Sequence, residues 1–349
     1  MQESNMNQSV FSKTVLAYLL VTAILITPVI AGEKAPLPED VNKYLRPMEI
    51  PQPKNNLMTP ERVKLGKVLF FDPRLSGSNF ISCATCHNPA LGWSDAQPTA
   101  VGHGMKILER STPTILNTAY QRFQFWDGRD RTLEKQALGP IEAAGEMFQP
   151  LETFIEELSS IPGYVAMFDD AYPGEGVTKK TIGKAIASFE RSVVSTESPF
   201  DRWLKGVKGA MSESAVRGFD LFKGKANCTA CHDGFNFSDN GFHNIGLPDN
   251  KDEGRYLIKP IKVLKGAFKT PTLRDVALTA PYMHNGQYDT LMEVIDHYNK
   301  GGEKNLGNLD PNMKKLGLNK KEMKDLVEFL HALTGDPQEV TVPTLPVKK

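Results

Sequence analysis

Cysteine is scarce in this chain: 349 residues carry only four. Those four sit in two short runs that give them another use, so no disulfide framework is expected. Neither sign of charge predominates. Lys plus Arg number 41 and Asp plus Glu number 41, so the basic surface that a nucleic-acid partner requires is missing. No stretch alternates apolar and polar residues strongly enough for a substantial sheet. Long apolar runs are absent beyond Ile30. The run from Val15 to Ile30 is shorter than the roughly 20 residues a spanning helix needs, and Pro28 interrupts it. It follows Lys13 and ends at Val29-Ile30-Ala31, the pattern of a secretory signal cleaved before Gly32, with an uncleaved anchor as the rival reading.

What is present is a repeated C-x-x-C-H run, at Cys83-Ala84-Thr85-Cys86-His87 and again at Cys228-Thr229-Ala230-Cys231-His232. Two thiols at this spacing can each add to a haem vinyl group, and the adjoining histidine then reaches the iron. Half of a zinc site is the bland alternative, but structural zinc needs a second ligand pair without the trailing histidine. Two copies predict two covalently bound haem c groups, and haem attachment outside the cytoplasm agrees with export to the periplasm.

Duplication extends beyond the haem runs. Gly66-Lys67-Val68-Leu69-Phe70 precedes the first and Gly218-Phe219-Asp220-Leu221-Phe222 the second. Downstream, Thr112-Pro113-Thr114 pairs with Thr270-Pro271-Thr272, Ala119 with Ala277, Gly128 with Gly286 and Thr132-Leu133 with Thr290-Leu291, all 158 residues apart. Apolar spacing and caps predict helices from Pro60 to near Asp72, from Leu133 and Leu291, and over 150–159, 178–193, 212–222 and 319–333. The fold class is therefore mainly α: two cytochrome-c-like helical haem domains from an internal duplication. The boundaries read as a signal peptide over 1–31, an extended proline-punctuated arm over 32–58, haem domains over 59–197 and 198–335, and a tail over 336–349.

Function should lie where the copies diverge. Trp126 is matched by His284, Gln136 by Val294 and Glu146 by Lys304, which gives the first haem alone an acid-and-amide neighbourhood. A glutamate there can move a proton between peroxide oxygens and an amide can hydrogen-bond the bound oxygen. On residue chemistry alone, Gln136 and Glu146 read equally well as solvated helix residues. His103, between Gly102 and Gly104, could reach the first iron or simply bond its own loop. Trp126 could pack in a core or carry an electron between haems. The other histidines (His243, His284, His297, His331) read as structural or as haem-propionate partners.

These motifs resemble the bacterial di-haem cytochrome c peroxidases and the related MauG-type di-haem enzymes of methylamine utilisation. The resemblance runs from about Leu57 to Gly335. It rests on both haem runs, on Gly102-His103-Gly104 and on Phe125-Trp126-Asp127-Gly128-Arg129. Gln136, Gly145-Glu146-Met147 and Ala280-Pro281-Tyr282-Met283-His284-Asn285-Gly286 complete it. It implies that the first haem is peroxidatic, with His87 proximal, His103 the loop histidine that blocks many resting enzymes, and Gln136 and Glu146 the distal pair. Trp126 matches the tryptophan between the haems, and His232 is proximal to an electron-storing second haem. A calcium ion between domains is implied through Thr279 and Pro281, although Ser111 stands where the family has asparagine. Tyr298 occupies the place of the second haem's distal ligand, methionine in the peroxidases and tyrosine in MauG-type enzymes, with Met283 and Met292 as rival ligands. An oxygen ligand favours ferric iron.

The resulting expectation is a periplasmic di-haem c peroxidase that reduces hydrogen peroxide to water. Its electrons would come from a small monohaem cytochrome c or copper protein, and the resemblance suggests a homodimer. Within the same fold the alternative is a MauG-like enzyme that uses peroxide to oxidise side chains of a partner protein. From another class, the alternative is a di-haem electron carrier without catalysis.

Overall fold

Thr59-Pro60-Glu61 opens the first helix as its residue types dictate. The Thr59 hydroxyl accepts from the Arg62 N–H at 3.3 Å, and proline takes a position where no N–H is needed. The structure, a computed structural model, describes residues 39–303 and 308–348, so the signal segment over 1–31 lies outside the described residues. Eleven α-helices follow in order among the described residues. In the first half they are α1 (Pro60–Phe70), α2 (Cys83–Cys86), α3 (Leu133–Gln136), α4 (Gly139–Glu142), α5 (Leu151–Ser159), α6 (Pro162–Ala171) and α7 (Lys179–Ser192). In the second they are α8 (Pro199–Leu204), α9 (Glu213–Lys223), α10 (Leu291–Lys300) and α11 (Lys320–His331). The only sheet among the described residues is a two-stranded antiparallel ribbon of β1 (Phe242–His243) and β2 (Phe268–Lys269). Among the described residues no helix is long and apolar enough to cross a membrane.

Each half is built on one close helix crossing. Helix α1 packs on α7, and α9 packs on α11. The repeated glycine of the sequence sits at each contact. A Cβ on Gly66 would stand 1.9 Å from the Ala185 carbonyl oxygen, and one on Gly218 would stand 1.9 Å from that of Asp325. Only hydrogen fits there. The rings after each glycine fill the space beside the crossing, where Phe70 meets Phe189 at 5.1 Å and Phe219 meets Phe329 at 5.1 Å. Two separate aromatic and aliphatic cores result, one per half.

The duplication is also written in the backbone. Left-handed residues recur 158 positions apart at Asn117 and Asp275, Phe125 and Met283, and Gly128 and Gly286. Bridges recur at the same interval, between Gln124 and Asp130 and between Tyr282 and Tyr288. The halves join through a pair of equivalent hydrogen bonds. The Ser111 N–H donates to the His284 carbonyl at 2.7 Å, and the Lys269 N–H donates to the Trp126 carbonyl at 2.8 Å. Ser111 corresponds to Lys269 and Trp126 to His284 across the repeat, so the junction has pseudo-twofold symmetry. Arg110 reinforces it, pairing with Asp127 of its own half and Asp252 of the other, each at 2.6 Å.

Several segments differ from the sequence expectation. The arm over 32–58 is not extended throughout, because Glu39–Tyr44 forms a 3-10 helix and buries Val41 and Tyr44 in the second core. The short helices α2 and α4 and the helices α6 and α8 were not predicted; α6 and α8 each open on a proline, and α6 starts within three residues of the end of α5, which masks its period. The proline-bearing tail runs back over the first half, where Val340 and Leu345 pack on its core.

Replacing Gly66 or Gly218 with alanine should destabilise the holoprotein by about 2 kcal/mol or more, since the new methyl meets backbone rather than a movable side chain. Gly139→Ala is the control, because its Cβ would meet only Phe125, at 3.6 Å. Thermal unfolding of the three variants checks this; an equal change in all three would show that the crossings tolerate bulk.

Candidate di-haem site

Each haem run lies in a short helical turn that follows, after a loop, the first helix of a glycine-mediated pair. In the first, Cys83 and Cys86 are three positions apart on α2 and, with His87, line a cavity of about 500 Å³. In the second, Cys228, Cys231 and His232 line a smaller cavity of about 190 Å³. None of the four cysteines is in a disulfide. Burial pushes the Cys86 thiol up to about 11 and that of Cys228 up to about 12.

The two histidines are held alike. His87 Nδ1 lies 3.3 Å from the Trp93 carbonyl, and His232 Nδ1 lies 2.9 Å from that of Phe237. Donating from Nδ1 leaves Nε2 as the free ligand atom. Burial lowers both pKa values, which favours the neutral, ligating form. Paired thiols, a pinned neutral imidazole and a cavity wall in each half fit a covalent haem c twice over.

The structure brings Gln136, Glu146 and Trp126 together on the wall of the first cavity. Burial raises the Glu146 pKa against the opposing pull of Arg129. Trp126 also lines the second cavity, and its indole N–H donates to the Ser111 carbonyl at 2.9 Å. His103 is placed differently. Its backbone N–H donates to the Glu146 carbonyl at 2.7 Å, which ties its loop to the catalytic candidate. Its ring packs 5.0 Å from Phe148, with Nδ1 buried and unpartnered, and is not among the residues lining the cavity.

In the second cavity Tyr298 is present, its phenol pushed well above the ordinary range by burial and by the neighbouring Cys228 and Cys231. Met283 shares that wall, as does Met313, which sequence reasoning did not raise; Met292 does not reach it. His243 stands there between Asp239 at 2.9 Å and Asp310 at 2.6 Å, and its hydrogen bond to Asp239 does most to raise it to about 11. His284 stacks on Phe268 at 3.6 Å. Thr279 and Pro281, the calcium candidates, lie in the loop before it, where Asn285 Oδ1 is buried without a partner. Lys304, the counterpart of Glu146, lies outside the described residues.

Two buried charged residues on the cavity walls, Glu190 and Lys269, were also not singled out from sequence. Glu190, on α7, is 4% exposed, has an unpartnered Oε2 and faces the first cavity. Its position inside a buried helix gave no sequence signal. Lys269 is buried and lines both cavities; its signal was divergence from Ser111 at the repeat interval.

Fold and site together define a di-haem c protein with two cytochrome-c-like domains. Comparison with known proteins agrees. The family model for di-haem cytochrome c peroxidase matches residues 60–209, and that for cytochrome c matches residues 215–334. The chain is 47% identical to the methylamine utilization protein MauG of Methylorubrum extorquens, over 87% of each chain. It is 36% identical to the cytochrome c551 peroxidase of Nitrosomonas europaea, over 87% of this chain and 88% of that one. Among solved structures, a MauG-like protein associated with microbial copper homeostasis superposes with a TM-score of 0.79 at 31% identity, covering 86% of this chain and 96% of its own. The chain belongs to the di-haem cytochrome c peroxidase and MauG family.

Glu190 generates a pH test. Burial lifts its pKa from the ordinary 4.5 to about 8. Between those values the folded protein keeps a proton that the unfolded chain has released, so stability falls as pH rises through the window. Glu190→Gln should therefore raise the melting temperature of the holoprotein at pH 8 and leave it unchanged at pH 4. The same gain at both pH values would refute the assignment.

Proposed function

We propose that this protein is a MauG-like enzyme that reduces hydrogen peroxide to water with electrons drawn from side chains of a partner protein. Tyr298 carries the reading, because its phenol, on α10, lines the second cavity beside Cys228 and Cys231, at the position where the resemblance puts the distal ligand. The higher identity to MauG than to the cytochrome c551 peroxidase supports it. So does the His103 ring, which packs on Phe148 instead of facing the first cavity. Turnover with a small cytochrome c or copper protein as donor is the second reading, favoured by the Gly102-His103-Gly104 motif.

Haem c, held by Cys83, Cys86 and His87 and by Cys228, Cys231 and His232, supplies the iron redox chemistry when bound. Peroxide reduction to two waters takes two electrons and two protons. Glu146, whose pKa burial raises, lines the first cavity and can take a proton from one peroxide oxygen and return it to the other. Gln136 orients peroxide through its side-chain amide. Trp126 bridges the two cavity walls and provides the aromatic contact through which the halves exchange electrons. The larger first cavity leaves room for substrate. Export by the signal expected over 1–31 would put this chemistry in the periplasm, and the Thr279 and Pro281 carbonyls, with Asn285 nearby in sequence, suit an oxygen-ligated calcium ion.

Glu146→Gln should slow the reaction with peroxide by about 10²–10⁴-fold, the usual worth of a positioned acid and base, while haem content stays at two per chain. Stopped-flow mixing with peroxide measures it. Tyr298→Phe should alter the resting spectrum of one haem only. An unchanged spectrum, together with fast peroxide-dependent oxidation of a reduced monohaem cytochrome c by the wild type, would assign the small-protein donor instead.

A further inference from the structure

Lys269 has no role in the chemistry above, yet it is one of the few residues on the walls of both cavities. It is 6% exposed. Its Nζ donates to the neutral Gln121 Oε1 at 2.9 Å, and among the described residues it has no ion-pair partner. An ammonium carries three donors, and burying one without an anion is strongly unfavourable. Burial pushes its pKa down to about 8, with no carboxylate pulling the other way. The site is therefore built for an anion that the chain itself does not provide.

Its place in the duplication sharpens this. At the pseudo-twofold junction Lys269 corresponds to Ser111, and both have the same backbone duty, each N–H donating to the carbonyl of the partner loop. The scaffold therefore does not require a lysine at this position. A serine makes the equivalent bond, so the four-carbon stem and charge of Lys269 serve something other than the junction's hydrogen bonding. The same backbone bond fixes Lys269 to Trp126, which also lines both cavities. A charge held there acts on two sites at once.

We propose that Lys269 is a carboxylate-binding residue shared by the two haem sites, its ammonium pairing with haem propionates at the junction and raising the reduction potential of both haems. Positive charge close to a haem favours the ferrous over the ferric form. Because the charge lies on both walls, its removal lowers both potentials in the same direction, whereas a packing defect on one wall perturbs one haem. The inference goes beyond the enzyme's choice of electron donor. It can be read without peroxide, so it survives or fails independently of that choice.

The test is spectroelectrochemical titration of the two-haem protein as wild type, Lys269→Met, Lys269→Gln and Lys269→Arg. Loss of the charge should shift the ferric-to-ferrous ratio of each haem at fixed potential by about tenfold, or roughly 59 mV for a one-electron couple, towards ferric. Arginine should restore most of the shift, since it keeps the charge. Should methionine not fold with two haems, the glutamine variant, which keeps a polar head for Gln121, carries the comparison. A shift at one haem only, no shift, or no recovery with arginine overturns the proposal. Titration with and without added acetate separates the sources of the carboxylate: an acetate-dependent wild-type potential, absent from Lys269→Gln, would mean a free anion and overturn the haem assignment.

Discussion

The bond from each proximal histidine to a backbone carbonyl is the constraint on which the rest of the structure turns. His87 and His232 must present Nε2 to the cavity, and they do so because Nδ1 is engaged by Trp93 and Phe237. Each of those carbonyls can face the histidine because its residue has a left-handed backbone, with φ of 60° at Trp93 and 48° at Phe237. That conformation is unfavourable for a bulky side chain and persists only where packing over-determines it. Here the packing is the aromatic core. Trp93 sits against Phe70 and Phe189, and Phe237 sits among Tyr44, Phe200, Phe222 and Phe329. The rings that hold the carbonyls are those that fill the glycine crossings. Ligand geometry is thus transmitted from Gly66 and Gly218 through the cores to the iron site.

This explains why duplication conserved backbone features more faithfully than side chains. Asn117 and Phe125 repeat as Asp275 and Met283 with the same hand but different chemistry, and Gly128 repeats as Gly286. The loop geometry is set by the haem and by the junction, and these demands are equal in the two halves. Side chains that only line a cavity are released from the demand. The second cavity could therefore replace Gln136 with Val294 and gain Tyr298 without disturbing the frame.

The sequence made the frame legible because its signals were local and repeated. Caps at Thr59, Thr132, Thr178, Ser212, Thr290 and Asn319 lie where helices begin, and the paired glycines mark the crossings. The first-cavity group of Gln136, Glu146 and Trp126 was legible through divergence between the copies and through resemblance. Less legible were residues whose importance arises only in three dimensions. Glu190 looks like any residue of a buried helix until its carboxyl is seen facing a cavity. Lys269 needed knowledge that its own N–H bonds the Trp126 carbonyl and that its side chain reaches both cavities. The His103 ring was legible as chemistry but not as direction, because two positive-φ residues, Gly104 and Met105, follow it and set the course of the loop.

Where a substitution falls relative to the pseudo-twofold axis decides what it can change. Gln136 and Glu146 line the first cavity and not the second, so their divergence from Val294 and Lys304 changes the chemistry of one wall and leaves the other alone. Trp126 and Lys269 sit at the junction and line both cavities, so divergence there changes how the sites communicate. A symmetric junction would repeat the same aromatic and the same charge on both sides and give electrons no preferred direction. This one has an indole opposite an imidazole and an ammonium opposite a hydroxyl, while the backbone bonds that hold them remain equivalent. Asymmetry is thus installed by side chains on a symmetric frame, and it required only that the two paired positions at the junction diverge.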